Sequence, residues 1–366
     1  MIPIRKSLKK AAAGALALSM MVLGGCSASS SKDTIAVIVK SQGSAYWDYL
    51  RLGVNDAAGE TGYDIYFDAP PTEADIDIQE QLVLDAIGKK VKAIVIAPID
   101  ADSLNDELAQ ADAAGIPVVC VDSDCSFEQK RAFISSNNLN AGSIEGRNAG
   151  ELLLKRNGGT VAIVGHTKGA GNAIGRIGGF VDALVLGYGA DVSGITEDNF
   201  ISGSGMTYAD AIAKGKEVRQ ANGYPEIKIV GLEYCDAKQD IAMQNTEAFL
   251  TQYPDLTMLF ATNQQTTTGA CQKVNEMGMK GKVLIMGFDS GEDQINAMTT
   301  GTLQGLIAQS PYNMGYLGVR YAHKCINGEK IPSLVDTGVT YVDLTNLNDP
   351  EVQLLLNPQT FENYDN

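Results

Sequence analysis

From Asp33 onward, short runs rich in β-branched residues alternate with longer stretches of helical period. The runs are Thr34–Val39, Ile65–Phe67, Ala93–Ala97, Pro117–Val121, Ala132–Ser135, Thr160–Val164, Ile227–Gly231, Thr257–Ala261, Val283–Gly287 and Leu306–Gln309. They are apolar almost throughout, as strands buried on both faces are. The first intervening stretch puts Trp47, Leu50, Val54 and Ala57/Ala58 on one helical face. This alternation predicts an α/β fold of parallel sheets covered on both sides by helices. So many strands suit two lobes of five or six better than one sheet, and 366 residues are enough for two. The pattern breaks at Ser135–Asn138. Residues 190–225 carry no clear strand and read as an insertion, with an amphipathic helix over Tyr208–Gln220.

The first residues stand apart from this pattern. Arg5, Lys6, Lys9 and Lys10 precede an apolar run, Ala11 to Gly24. A basic head, a short apolar body and small residues before a cut site describe a secretory signal. The body is shorter than the ~20 residues of a membrane span. Leu23-Gly24-Gly25-Cys26 resembles a bacterial lipobox, in which Cys26 becomes the lipidated first residue. Ser27 to Lys32 then forms a polar tether.

Composition narrows the function. Asp+Glu number 44 against 28 Lys+Arg, a formal net charge of -16. A nucleic-acid binder needs a basic face, so that class is set aside. Two His and six Cys leave little for metal or His chemistry. After Cys26, Cys120, Cys125, Cys235, Cys271 and Cys325 contain no CxxC and read as buried free thiols; no metal or cofactor is expected.

In open parallel sheets, ligands bind outside the carboxyl ends of the strands. Those ends carry Ser41-Gln42-Gly43-Ser44 with Tyr46-Trp47, then Asp122, Asn263, Asp289 and Gln309. Carboxylates and amides satisfy vicinal hydroxyls, and aromatic rings pack on the apolar faces of a pyranose. The set suits a sugar. The competing reading is that these residues start turns and cap helices.

The segments Asp33-Thr34-Ile35-Ala36-Val37, Gly115-Ile116-Pro117-Val118-Val119, Gly287-Phe288-Asp289 and Ile307-Ala308-Gln309-Ser310-Pro311-Tyr312-Asn313-Met314-Gly315 resemble the type I periplasmic sugar-binding proteins, the ribose-binding protein family. The resemblance runs from Asp33 to about Val342, apart from 190–225. It implies two doubly wound parallel-sheet lobes joined by three hinge crossings, with ligand between them. The expected organisation is a signal peptide over 1–25, a tether over 26–32, an N-terminal lobe of 33–135 plus 310–338, and a C-terminal lobe of 136–309 plus 339–366.

By the same resemblance, Ser44, Tyr46 and Trp47 match the polar-aromatic cluster after the first strand, and Asp122 the first-lobe aspartate. Tyr234 matches a second-lobe aromatic. Asn263, Asp289 and Gln309 match the amide, carboxylate and hinge glutamine that hold sugar hydroxyls. Asn137 and Asn138 stand at the first crossing. Asn172 and Arg176 complete the ligand-binding candidates, with Asn138. Three family arginines are missing at their places: Ser123 follows Asp122, Ile174 takes the second position, with Arg176 two residues on, and Cys235-Asp236 follows Tyr234. Asp122, Asp124, Asp236 and Asp289 together raise the idea of an amine-bearing ligand beside that of a neutral sugar.

Other signals are weaker. His166 follows a strand and is either a ligand contact or a turn residue; His323 suits a helix C-terminus. Gly169-Ala170-Gly171 lacks the third glycine of a dinucleotide fingerprint, and neither GxSxG nor HExxH occurs. Asp75/Asp77 and Asp100/Asp102 read as caps, and Met277 and Met279 as a helix end. The expected protein is thus a monomeric, lipid-anchored extracytoplasmic receptor. It would deliver a monosaccharide or polyol to an ABC permease, with no catalysis. The alternatives are a sensor lipoprotein for a membrane kinase or chemoreceptor, a binder of an amino sugar or nucleoside, and a secreted enzyme on the same fold.

Overall fold

The computed structural model describes residues 33–358. The expected signal peptide, Cys26, the tether and the last eight residues of the expected C-terminal lobe lie outside them. The chain runs β1 (Thr34–Ile38), α1 (Ala45–Thr61), β2 (Asp64–Asp68), α2 (Ile76–Gly88), β3 (Ala93–Ile96), α3 (Asn105–Ala113), β4 (Val118–Val121), β5 (Ala132–Ser135), α4 (Asn138–Lys155), β6 (Gly159–Gly165) and α5 (Gly171–Tyr188). A 3-10 turn at Glu197–Asn199 precedes α6 (Tyr208–Asn222), β7 (Ile227–Tyr234), α7 (Gln239–Gln252), β8 (Leu256–Ala261), α8 (Gln264–Glu276), β9 (Leu284–Phe288), α9 (Glu292–Thr299), β10 (Gly305–Gln309), α10 (Pro311–Ile326), β11 (Leu334–Asp336), β12 (Val339–Val342) and α11 (Pro350–Leu356). Among the described residues, no helix is long and apolar enough to cross a membrane.

The strands form two six-stranded sheets, ordered β11-β5-β4-β3-β1-β2 and β12-β10-β9-β8-β6-β7. Pairings are parallel except β10 with β12. The two orders superpose: β1 corresponds to β6, β4 to β9 and β5 to β10. Each sheet is covered on both faces. Ile35 and Val37 turn toward Leu50 and Val54 of α1, while Ala36 and Ile38 turn toward Val83 and Leu108 of α2 and α3. Strand residues of both parities are therefore buried, which is why the runs are continuously apolar.

The chain passes between the sheets three times, after β5, after β10 and between β11 and β12. At the first passage α4 leaves the first sheet and packs on α5 against the second; at the second, α10 returns to pack on α1. Both helix pairs approach closely. A Cβ on Gly142 of α4 would lie 2.0 Å from the carbonyl oxygen of Arg176 in α5, and one on Gly53 of α1 would lie 2.0 Å from that of Tyr312 in α10. Residues 190–225 pack α6 beside α5, bridge to the second sheet at Asp191–Lys228 and bury Val192 and Ile195 with Ile227 and Ile229 of β7.

Candidate functional site

The carboxyl ends of the two sheets face each other across a cavity lined by residues of both. Eight of the eleven sequence candidates line it: Ser44, Tyr46, Trp47, Asp122, Asn172, Arg176, Asn263 and Asp289. The corresponding strands β4 and β9 each end in an aspartate in the left-handed region, Asp122 at φ 62° and Asp289 at φ 64°. Non-glycine residues adopt this conformation rarely, and it concentrates at functional sites. Each aspartate donates its backbone N–H to the next strand, to Ile134 at 2.9 Å and to Ile307 at 2.8 Å. The sheets thus hold both carboxylates on rigid backbone.

Their surroundings differ. Asp122 accepts from the Tyr46 hydroxyl at 2.7 Å and from Ser123 Oγ at 2.9 Å, and pairs with Lys40 Nζ at 3.2 Å. Burial pushes its pKa up, but Lys40, Arg176 and these hydrogen bonds outweigh burial and hold it below the usual value. Asp289 accepts from Gln309 Nε2 at 2.7 Å and lies 3.8 Å from Arg176 Nη1. There burial prevails over Arg176 and Gln309, and its pKa is raised.

Arg176 reaches the cavity from the second turn of α5. Its guanidinium lies 3.8 Å over the Phe288 ring, with Nε on Asn138 Oδ1 at 2.9 Å and Nη1 on the Thr262 carbonyl at 2.7 Å. A guanidinium carries five N–H donors, so these contacts leave donors for a ligand. Asn138 and Gln309 therefore stand behind the lining, orienting Arg176 and Asp289. Tyr234 is not among the lining residues; its ring packs beside Gly165.

His166 also lines the cavity, and it is neutral. Burial first, then Arg176 and Lys40, lower its pKa to about 3. The Ala173 N–H fixes Asn172 Oδ1 as an acceptor at 2.9 Å, so His166 Nε2, 3.0 Å from the same oxygen, carries the proton. Nδ1 then accepts from Thr262 Oγ1 at 2.8 Å. This chain orients Asn172 toward the cavity wall.

Helix capping and cavity lining coincide. Ser44 caps α1 and Asn263 caps α8 through a capping box with Thr266. Ser44 Oγ also donates to Gln264 Oε1 at 2.6 Å, joining the two lobes directly. Tyr46 and Trp47, in the first turn of α1, meet edge-on with centroids 4.9 Å apart. Trp47 Nε1 donates to Ser41 Oγ at 3.2 Å.

Four lining residues lay beyond the sequence reading: Lys40, Glu73, Gln264 and Gln265. Lys40 stands just past β1, and Glu73 in the loop after β2, so the same attention to strand ends finds both. The four-aspartate cleft does not form. Asp124 is exposed and pairs with Lys130 at 3.1 Å, and Asp236 is exposed on the turn after β7. Lys40 and Arg176 instead face Asp122, Asp289 and Glu73, and burial raises the Glu73 carboxyl.

Comparison with known proteins agrees with this geometry. A family model described as a periplasmic binding protein domain matches residues 35–330. The ribose import binding protein of Escherichia coli is 25% identical over 320 residues, 87% of this chain and 92% of that protein. A xylitol-binding protein of Mycolicibacterium smegmatis is 25% identical over 330 residues, 88% and 80% of the two chains. An ABC transporter solute-binding protein of Agrobacterium vitis, solved with D-fucose, is 30% identical with a TM-score of 0.73, covering 88% of this chain and 99% of that one. A carbohydrate transporter solute-binding protein of Agrobacterium radiobacter, solved with D-arabinose, is 26% identical with a TM-score of 0.76, covering 90% and 100%. The chain belongs to the periplasmic binding proteins, as a type I sugar-binding solute-binding protein of ABC transporters, and is not an enzyme.

Proposed function

We propose that this chain holds a neutral monosaccharide or polyol between its lobes and presents it to an ABC permease, as a monomer anchored by a lipid on Cys26 to the outer face of the cytoplasmic membrane. The observation that carries the ligand class is the pair Asp122 and Asp289. They stand at equivalent places in the two sheets and face one cavity, with Lys40 and Arg176 between them. Carboxylates accept from sugar hydroxyls, while Arg176 and the amides of Asn172 and Asn263 donate to them. Lys40 and Arg176 counter the acidic groups, and Asp124 and Asp236 are elsewhere, so an amine-bearing ligand is less favoured. Relatives that are named for ribose or xylitol, or were solved with D-fucose or D-arabinose, support the same class.

Among the described residues the lobes are 33–135 plus 310–338 and 136–309 plus 339–358, turning about the three passages between the sheets. Ligand bridging Asp122 and Asp289 would favour the closed form. Calorimetric titration of pentoses, hexoses, polyols, amino sugars, nucleosides and sugar phosphates tests the ligand class, with Trp47 fluorescence recorded alongside. Saturable binding of a neutral sugar, with a fluorescence change, is the expected result. Preference for a sugar phosphate or an amine overturns it. Radiolabelled lipid on wild-type but not Cys26→Ala protein tests the anchor.

A further inference from the structure

A close thiol pair flanks the cleft aspartate. Cys120 lies in β4 and Cys125 five residues on, beyond the turn that carries Asp122. Both are buried, and their sulfurs are 3.3 Å apart. The turn between them is tight: Asp122 sits at φ 62°, and the Ser123 N–H reaches the Val121 carbonyl at 2.6 Å. A three-residue turn with positive φ is rare and strained, and persists only where its surroundings hold it. Here Lys130 bonds the Cys125 carbonyl at 2.7 Å and pairs with Asp124, while the Ser126 N–H reaches the Ala101 carbonyl at 2.7 Å.

We propose that Cys120 and Cys125 form a reversible disulfide that clamps both ends of this turn and fixes Asp122 for ligand binding. The second half of that statement rests on Asp122 being a ligand contact; the first half does not. The setting favours the bond, because disulfides persist outside the cytoplasm and the family is extracytoplasmic. The two thiols are unequal. Hydrogen bonding from Cys120 lowers the Cys125 pKa despite burial, with help from the Phe127 N–H and Lys130, whereas Cys120 is raised by that same bond and by burial. Cys125 also lies between the exposed Asp124 and Ser126, whereas Cys120 is inside β4, so Cys125 is the thiol an oxidant reaches first. Opening of the loop, whose Asp124, Ser126 and Glu128 are exposed, admits a small-molecule disulfide or a protein dithiol oxidant in its disulfide form. The Cys125 thiolate attacks one sulfur and expels the first thiolate. Cys120 then loses its proton, attacks the Cys125 sulfur of the mixed disulfide and expels the second. Two protons and two electrons leave the pair, and one oxidant disulfide becomes two thiols.

The test equilibrates the full chain in oxidised and reduced glutathione mixtures, traps thiols by alkylation and maps them by mass spectrometry. The expected result is one bond between Cys120 and Cys125, seen as loss of two hydrogens, with Cys235 and Cys271 still alkylated after unfolding. The oxidised protein should bind its sugar severalfold more tightly than the reduced, and Cys125→Ser protein should show no redox dependence. Two alkylatable thiols at every ratio overturn the bond. Uptake of one equivalent of zinc that protects both thiols overturns it in favour of a metal site with Asp124. A bond that leaves affinity unchanged overturns the clamp. A bond that forms while no sugar binds in either state refutes the sugar reading and leaves the bond standing.

Discussion

Replacing Lys40 with Met isolates the electrostatics of the cleft. Lys40 and Asp122 are 2% and 4% exposed, and their 3.2 Å contact is the closest cationic contact Asp122 has. Removing one partner of a buried pair typically destabilises by about 3–5 kcal/mol, because a charge is left buried without compensation. Asp122 keeps the Tyr46 and Ser123 hydroxyls, and Arg176 remains nearby, so the lower end, about 3 kcal/mol, is expected at pH 7. The pH dependence separates this cause from lost packing. In the wild type the folded carboxyl is held below its unfolded value, so its contribution is present above the unfolded value and fades as pH falls. In Lys40→Met, burial is less opposed, and the folded carboxyl rises. Each unit of upward shift weakens the variant at neutral pH by about 1.4 kcal/mol and leaves it untouched once the carboxyl is protonated in both states. Urea unfolding of both proteins at several values between pH 4 and pH 8 reads the difference. The deficit of the variant should shrink steadily toward pH 4. An equal deficit at both ends, or one below 1 kcal/mol at pH 7, refutes the reasoning.

Asp289→Asn should weaken sugar binding by about 1.5–3 kcal/mol, the worth of a hydrogen bond to a charged group, measured by calorimetry. Since burial raises the Asp289 carboxyl, acidification should weaken wild-type binding at a higher pH than an ordinary aspartate would dictate. Gly142→Ala drives a methyl into the Arg176 carbonyl and should destabilise by about 1–3 kcal/mol while lowering affinity, whereas Gly187→Ala in α5, with nothing within 4 Å, should leave binding unchanged. Glu145 is fully buried without a side-chain partner, and burial outweighs the nearby Gly287 N–H and raises its pKa well above the usual value. A group that binds its proton in the folded state makes stability fall as pH rises past its unfolded value. Glu145→Gln should therefore be more stable than wild type at pH 7, with the gap closing near pH 4 in denaturant melts.

The two sheets were legible because their strands are buried on both sides. Runs such as Ala93–Ile96 and Leu284–Phe288 have no polar position to confuse the period. The edge strands β11 and β12 escaped for the opposite reason: Leu334 and Asp336 are exposed, and three residues of β12 are half-buried, so nothing in their apolar content exceeds that of a loop. In the site, the aspartates could be found because a strand end announces them. That Asn138 and Gln309 serve Arg176 and Asp289 could not, since the partnership depends on side-chain direction across 38 and 20 residues of sequence. Lys40 was hidden by its type: a lysine after a strand ordinarily reaches solvent, and here the fold closes over it.

The traffic of helices between the sheets also sets the order in which the molecule can be finished. The first sheet begins at Thr34, yet it receives the helix that covers β3 and β4 only at Pro311–Ile326 and its last strand only at Leu334–Asp336. A growing chain that has completed β1 to β5 has α1 over β1 but still lacks the helix that covers β3 and β4 on the same face. The part made first must wait for the part made almost last.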